Sequence, residues 1–335
     1  MKQAQAIVTL LTAAAALSVL AAGCSGSKLP KIGVALYRVD DAFISTARRA
    51  LEAQAQGKAR LSIVDGQNKE RIQAAQLEAM ISDKADVLIV NTVDRSAAGP
   101  LVFRAKSANV PLVFFNREPS EVAVKSWDRA YYVGARTEEA NGIQAEILVD
   151  YCKSSLGADR DENGIIKYIV LRGEANLINA EARNAYRQRV FDESGLAFER
   201  IVEATANWSR AEAQQKMTAL IEGYGDGIEA VLCDNDEMAL GAIAAFKMAG
   251  RLKGESTFVP ILGIDATAFA LEAINEGSLL GTVRSDAAAQ GRNAFGLAYD
   301  IATGKDLSSW SLKDGHFLFI PYQKVTRANV GDFSK

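Results

Sequence analysis

Apolar runs rich in valine and isoleucine recur along the chain at 32–37, 61–64, 86–90, 112–115, 166–171, 229–233 and 259–264, separated by stretches of helical periodicity. A short run with no polar alternation has no wet face, so each reads as a strand buried on both sides of a sheet. Strand and helix in regular alternation require parallel strands with right-handed crossovers, and the helices then cover both faces. The chain has 335 residues, and about 310 remain after the leader described below, enough for two compact domains with ordinary cores. The expected fold is therefore α/β, with two doubly wound parallel-sheet domains rather than one long sheet.

The first boundary is expected near Tyr132-Val133-Gly134, where a strand ends before a helix beginning around Thr137, and a second crossing near Val283 to Asp286. Residues 31–134 plus about 286–317 would form the amino-terminal domain, and 135–285 plus about 318–335 the carboxy-terminal one, joined by a multi-strand hinge. Most of the support for the crossing comes from the resemblance described below.

At the start of the chain, Lys2 precedes an uncharged apolar run from Ile7 to Leu20, closed by Leu20-Ala21-Ala22-Gly23-Cys24. The run is too short and too small in side chain for a spanning helix, and Gly-Cys after small residues is where a lipoprotein signal peptidase cuts. Residues 1–23 thus read as a signal peptide, Cys24 as the lipidated first residue and 24–30 as a tether, although Leu20 lies one place further from the cysteine than is usual. The expected location is exported, periplasmic and lipid-anchored to a membrane. The net charge of -3, with both signs well mixed, offers no basic stripe for nucleic acid. The single histidine, His316, argues against imidazole-based catalysis or metal clusters. Cys152 and Cys233 are expected as free thiols and the protein as a monomer.

In open α/β sheets a ligand lies beyond the carboxyl ends of the strands. Asp40, Asp41 and Phe43 follow the first apolar run; Asn91 and Asp94, Asn116-Arg117-Glu118, Asn235 and Asp265 follow later ones. Ser209 and Glu212 form an S-x-x-E capping box, which puts Trp208 just ahead of a helix at the same rim. Arg183 falls in the first turn of a helix starting near Asn179, where the dipole disfavours a cation by roughly 0.3–1 kcal/mol, so another role is sought for it. Any one Asp or Asn is better read as a helix cap or turn residue. Carboxylates, carboxamides, a guanidinium and two aromatics together are the chemistry of a sugar site, because pyranose C–H faces stack on rings and adjacent hydroxyls suit planar polar groups.

From about Lys31 to its end the chain resembles the periplasmic galactose/glucose-binding proteins of bacterial ATP-driven sugar importers. The resemblance is carried by Asp40-Asp41-Ala42-Phe43, Val110 through Ser120, Ala130 through Gly134, Ala180-Glu181-Ala182-Arg183, Asp234 through Ala239 and Gly281-Thr282-Val283. It implies the type I periplasmic-binding-protein fold and a non-catalytic receptor that delivers a hexose, glucose or galactose, to an ABC permease. The alternative is a receptor for a different monosaccharide acting mainly in chemosensing, and a chemoreceptor could also be a second reader of the closed form. It also implies that Asp41, Asn116, Arg183, Asn235 and Asp265 hydrogen-bond the hexose while Phe43 and Trp208 sandwich its ring. Three contacts depart from the family: Leu177 stands in place of His, Asn179 in place of Asp and Ser285 in place of Asn. Asn179 and Ser285 remain candidate contacts, but one edge of the site must differ.

No cofactor is required on this reading. The resemblance does cover a calcium loop, with Asp159, Asp161, Asn163 and Ile165 as ligands and a distant Glu229 completing the shell. Lys167 occupies a ligand position, however, and an ammonium donates where calcium needs an acceptor. A solvated turn pinned by Lys167 is the preferred reading. Two rival functions share parts of this pattern. A sugar-responsive repressor domain would carry a helix-turn-helix where the leader stands, and a secreted glycosidase would use paired carboxylates such as Asp41 and Asp265, for which the sequence shows no device that raises one pKa.

Overall fold

A computed structural model describes residues 29–154, 158–174, 180–252 and 258–333, with the side chains of 180–183 excluded. The leader, Cys24, Leu177 and Asn179, and the side chain of Arg183, therefore lie outside the described residues.

The amino-terminal half alternates β1 (Lys31–Leu36), α1 (Ala42–Ala55), β2 (Arg60–Asp65), α2 (Glu70–Ser82), β3 (Val87–Val90), α3 (Ala98–Ser107), β4 (Leu112–Phe115), α4 (Glu121–Lys125) and β5 (Ala130–Gly134). The chain then runs through α5 (Thr137–Ser154), β6 (Ile165–Arg172), α6 (Ala180–Ser194), β7 (Ala197–Thr205), α7 (Arg210–Tyr224), β8 (Ala230–Cys233), α8 (Asp236–Met248), β9 (Ile261–Ile264), α9 (Ala268–Glu276) and β10 (Gly281–Arg284). Finally α10 (Ala287–Ala302) and β11 (Phe317–Phe319) return to the first domain, and β12 (Gln323–Thr326) to the second. The two six-stranded sheets have the orders β11-β5-β4-β3-β1-β2 and β12-β10-β9-β8-β6-β7. The fold is the expected pair of doubly wound α/β domains.

The apolar runs are strands because both of their faces are covered. All four residues of β3, β4, β8 and β9 are buried. Ile44 and Leu51 of α1 share one core with Ala294 and Phe295 of α10, which pins the returning helix to the first domain. A side chain at Gly291 could not fit there, since a Cβ would lie 2.0 Å from the Ala47 carbonyl oxygen.

All described strand pairs are parallel except β10 with β12. The exception follows from the route of the chain. β10 leaves the second sheet at Arg284, and β12 enters beside it at Gln323, its register partner. A strand that enters where its neighbour leaves must run the opposite way. β11 pairs with β5 through Phe319, so the chain leaves the first sheet after Phe319.

The chain thus passes between domains three times, after β5, β10 and β11. Polar contacts hold these passages together. Glu118, from the first domain, accepts from Thr137 N at 3.3 Å and Thr137 Oγ1 at 3.2 Å, at the start of α5. Ile320 N donates to Gly134 O at 2.6 Å. Buried Tyr132 donates through its hydroxyl towards Asn116 O at 3.1 Å and Ala135 O at 3.0 Å. His316 is structural, its Nδ1 2.8 Å from Ala130 O, and Cys152 and Cys233 are free thiols. No helix of the described residues is long and apolar enough to cross a membrane.

Replacing Tyr132 by Phe removes the donor from two carbonyls at the first passage without changing ring volume. The variant should unfold at lower urea concentration, with a loss of about 1–2 kcal/mol; an unchanged midpoint would show that neither contact contributes.

Candidate functional site

The residues after the strands converge on one cavity between the two sheets, with about 660 Å³ of space, mouth included. Tyr37, Asp41, Phe43, Arg95, Asn116 and Arg117 line it from the first domain, and Trp208, Asp234, Asn235 and Asp265 from the second. Ser285 and Gln290 line it beside the second passage, and Tyr322 beside the third. Among the sequence-derived candidates, Asp41, Phe43, Asn116, Trp208, Asn235, Asp265 and Ser285 are therefore brought together. Asp40, Asn91 and Asp94 are not among the lining residues; Asn91 instead supports the wall, donating to Asn116 Oδ1 at 3.1 Å and Phe115 O at 3.2 Å.

Asp41 and Asn235 are helix caps as well as cavity residues. Asp41 Oδ1 accepts from Ile44 N at 2.9 Å, starting α1, and Asn235 Oδ1 accepts from Met238 N at 2.9 Å, starting α8. Capping consumes one oxygen of each and fixes the rotamer. The other carboxylate oxygen of Asp41 accepts from the Tyr37 hydroxyl at 2.6 Å and keeps lone-pair capacity for a ligand. Ser209 caps α7 as expected, with Glu212 N 3.3 Å from its Oγ. The capping box is only half made, because Glu212 accepts from Asn207 Nδ2 at 2.7 Å instead of returning to the Ser209 amide.

Three wall residues have left-handed backbone: Asn116 at φ 63°, Trp208 at φ 61° and Asp265 at φ 120°. Such conformations cost on the order of 1–3 kcal/mol each and collect where geometry serves a ligand. The Trp208 indole also requires Gly173, where a Cβ would lie 2.1 Å from its Cε2. A Gly173→Ala substitution must therefore displace the aromatic wall.

Burial governs the electrostatics of the second wall. Asp236, fully buried behind it, accepts from Thr282 Oγ1 at 2.6 Å and Thr267 N at 2.7 Å, yet desolvation still raises its pKa to about 7. Asp265 is pushed well above the usual carboxylate range, first by burial and then by the neighbouring charges of Asp236 and Asp41. A device for raising a carboxyl pKa, invisible in the sequence, is therefore present. Arg187, buried on α6, has its pKa lowered by desolvation against the opposing pull of Asp234.

The lining residues not singled out as sugar contacts include Tyr37, Arg95, Arg117, Asp234, Gln290 and Tyr322. Arg117 is one of the strand-end residues that the sequence marks, and Tyr37 and Asp234 stand beside others, so position alone could have marked those two as well. Arg95, Gln290 and Tyr322 lie beyond the strand ends, and no local signal aims them at the cavity.

The acidic loop does not fit calcium. Oxygens of Asp159, Asp161 and Glu229 gather within 4.8 Å of one another, but the ammonium of Lys167 is paired with Asp161. That pairing lowers the pKa of Asp161 and raises that of Lys167. Glu229 accepts from Arg160 N at 2.6 Å and Lys167 N at 2.7 Å; Asp159 accepts from Gly164 N at 2.7 Å, and Asn163 Oδ1 from Ile165 N at 2.8 Å. Calcium needs six to eight oxygens around it, and here they are turned onto amides and a resident cation.

Two measurements test these electrostatics. Folded Asp236 keeps its proton to about 7 while the unfolded side chain loses it near 3.8. Between those values the folded state binds more protons, so stability should fall as pH rises. Tm should decrease as pH rises from about 4 to about 7, with a shallower slope in Asp236→Asn; an equal slope would reassign the effect. Excess calcium and chelator should give the same wild-type Tm, whereas a calcium-dependent rise would restore the metal.

A family model described as Periplasmic binding protein domain matches residues 32–306. The chain is 35% identical over 332 residues to the D-galactose/methyl-galactoside binding periplasmic protein of Haemophilus influenzae, covering 97% of this chain and 98% of that one. It is 31% identical over 305 residues to a putative rhizopine-binding protein of Rhizobium meliloti, covering 90% and 92%. A solved ABC transporter solute binding protein of Bacillus halodurans with bound myo-inositol matches with a TM-score of 0.78 at 30% identity, covering 93% of this chain and 99% of that one. These relatives are solute-binding proteins, not enzymes, so the glycosidase reading falls despite the raised carboxyl of Asp265. With its two wound domains, three passages and central cleft, the chain belongs to the periplasmic binding protein family and has the type I fold.

Proposed function

We propose that this protein captures a hexose, glucose or galactose, between its domains and delivers it to an ABC permease, held near the membrane by lipid on Cys24. The observation that supports this reading is the joining of Asp41, Asn116, Asn235 and Asp265 with Phe43 and Trp208 around one cavity drawn from both domains. Planar polar groups take adjacent hydroxyls and the two aromatics take the apolar faces of a ring. Arg183 is assigned to the same ligand by the family resemblance. Because both domains supply contacts, the ligand binds the closed state better than the open one and so favours closure. Chemoreceptor recognition of the same closed form is compatible with this role.

Ser285 shapes what the site accepts. Its Oγ takes the Gln290 Nε2 hydrogen bond at 3.1 Å, and its hydroxyl proton remains available to a ligand. It presents one donor where the resembled family has a carboxamide, so a polyol with fewer acceptors at that edge is matched better. The relative with bound myo-inositol makes a cyclitol the comparison ligand to include.

Calorimetry over glucose, galactose, ribose and myo-inositol should give saturable heat with a hexose as the tightest ligand. Asp41→Asn retains an oxygen for the α1 cap but lacks the charge, and it should weaken binding about 10-fold or more, in line with a charged hydrogen bond worth about 1.5–3 kcal/mol. Trp208→Ala should abolish detectable heat. Tighter binding of ribose or myo-inositol would move the substrate class, and no binding to any of the four would sink the proposal.

A further inference from the structure

Two charged residues meet across the cleft from opposite domains. Arg117 follows β4 of the first sheet, and Glu174 follows β6 of the second. Their side chains form an ion pair in which the Arg117 side chain is 5% exposed and that of Glu174 30%. The same Glu174 Oε1 accepts from Trp208 Nε1 at 3.0 Å. On its other side the Arg117 guanidinium lies 3.8 Å over the Tyr37 ring and donates to Val93 O at 2.6 Å and Thr92 O at 3.3 Å. Tyr37 in turn donates to Asp41 Oδ2 at 2.6 Å.

We propose that Arg117 and Glu174 are positioning residues, forming a clamp made only in the closed arrangement, that sets Asp41 in one wall and Trp208 in the other. The inference rests on the reading of the cleft as a sugar site, but the clamp itself is a property of the protein. Each partner has a second contact that reaches a ligand-facing group, so the ion pair links Asp41, Tyr37, Arg117, Glu174 and Trp208 in one path. The ring of Tyr37 holds the guanidinium in the plane from which it reaches Glu174.

Arginine is required for this role. A guanidinium stacks on a ring and hydrogen-bonds in its own plane at once, whereas an ammonium is a compact charge without a face to stack. Opening the domains separates Arg117 from Glu174 because they ride on different sheets. Whatever the pair contributes is therefore gained on closure alone, and it adds to the ligand's preference for the closed state. Trp208 gains as well: Glu174 anchors the indole nitrogen of a residue already held at positive φ.

The test is a double-mutant cycle on the purified protein with Arg117→Met and Glu174→Gln, using D-galactose as the probe. Each substitution should weaken binding by about 10-fold, and the double variant should be no weaker than the worse single, since both break one interaction. Arg117→Lys should fall between wild type and Arg117→Met. Small-angle scattering without sugar should show Arg117→Met and Glu174→Gln more open than wild type. Additive losses in the cycle, or scattering profiles identical to wild type, would overturn the clamp. Glu174→Gln alters a partly exposed group, so it keeps the test valid if Arg117→Met folds poorly. If D-galactose fails to bind wild type while the variants still open, the sugar assignment fails and the clamp stands.

Discussion

Parallel strands impose a direction on everything else in this molecule. Because every strand except β12 runs the same way within its sheet, the residues that follow β1, β4, β8 and β9 all emerge at one edge, and the two edges face each other. That edge has spare backbone groups and no strand beyond it, so side chains there are free to serve a ligand. The three passages of the chain also lie at this edge, which places the hinge beside the site. Motion at the hinge and contact with a ligand are thus two consequences of one strand direction.

The site economises on residues. Asp41 and Asn235 each start a helix with one atom and present another to the cavity, so the helix fixes the side chain that the ligand meets. Preorganisation of this kind lowers the entropy lost on binding. Strain runs the other way: Asn116, Trp208 and Asp265 hold unfavourable backbone angles, and the surrounding buried strands keep them there. Desolvation adds a second cost, visible in the raised pKa values of Asp236 and Asp265. Stability is spread through the cores of the two domains, whereas the unfavourable terms gather at the cleft.

Much of this was legible in the sequence, for reasons specific to each element. β3, β4, β8 and β9 are buried on both faces and read as unbroken apolar runs. β7 was missed because it is an edge strand with largely exposed side chains, including Glu199, Arg200 and Glu203, and its pattern resembles a surface segment. β11 has only three residues, and β12 (Gln323–Thr326) buries only Val325, so it shows no apolar run. Strand-end position identified Asp41, Asn116, Asn235 and Asp265, and the half-made capping motif placed Trp208. Nothing local marked Gln290 or Tyr322, which reach the cavity only because the chain crosses back between the domains.

The order of apolar runs determined the fold class, since alternating buried strands and helices leave parallel wound sheets as the economical solution. The residue types at the strand ends determined the kind of ligand chemistry, and Lys167 already argued against a metal in the acidic loop. Only the tertiary structure decided which strand ends face one another, that Asp265 shares its surroundings with Asp41 and Asp236, and that Arg117 finds Glu174 on the opposite domain. The physical reason is that burial, charge coupling and closure depend on distances between segments far apart in the chain, and those distances do not exist until both sheets have formed and the hinge has brought them together.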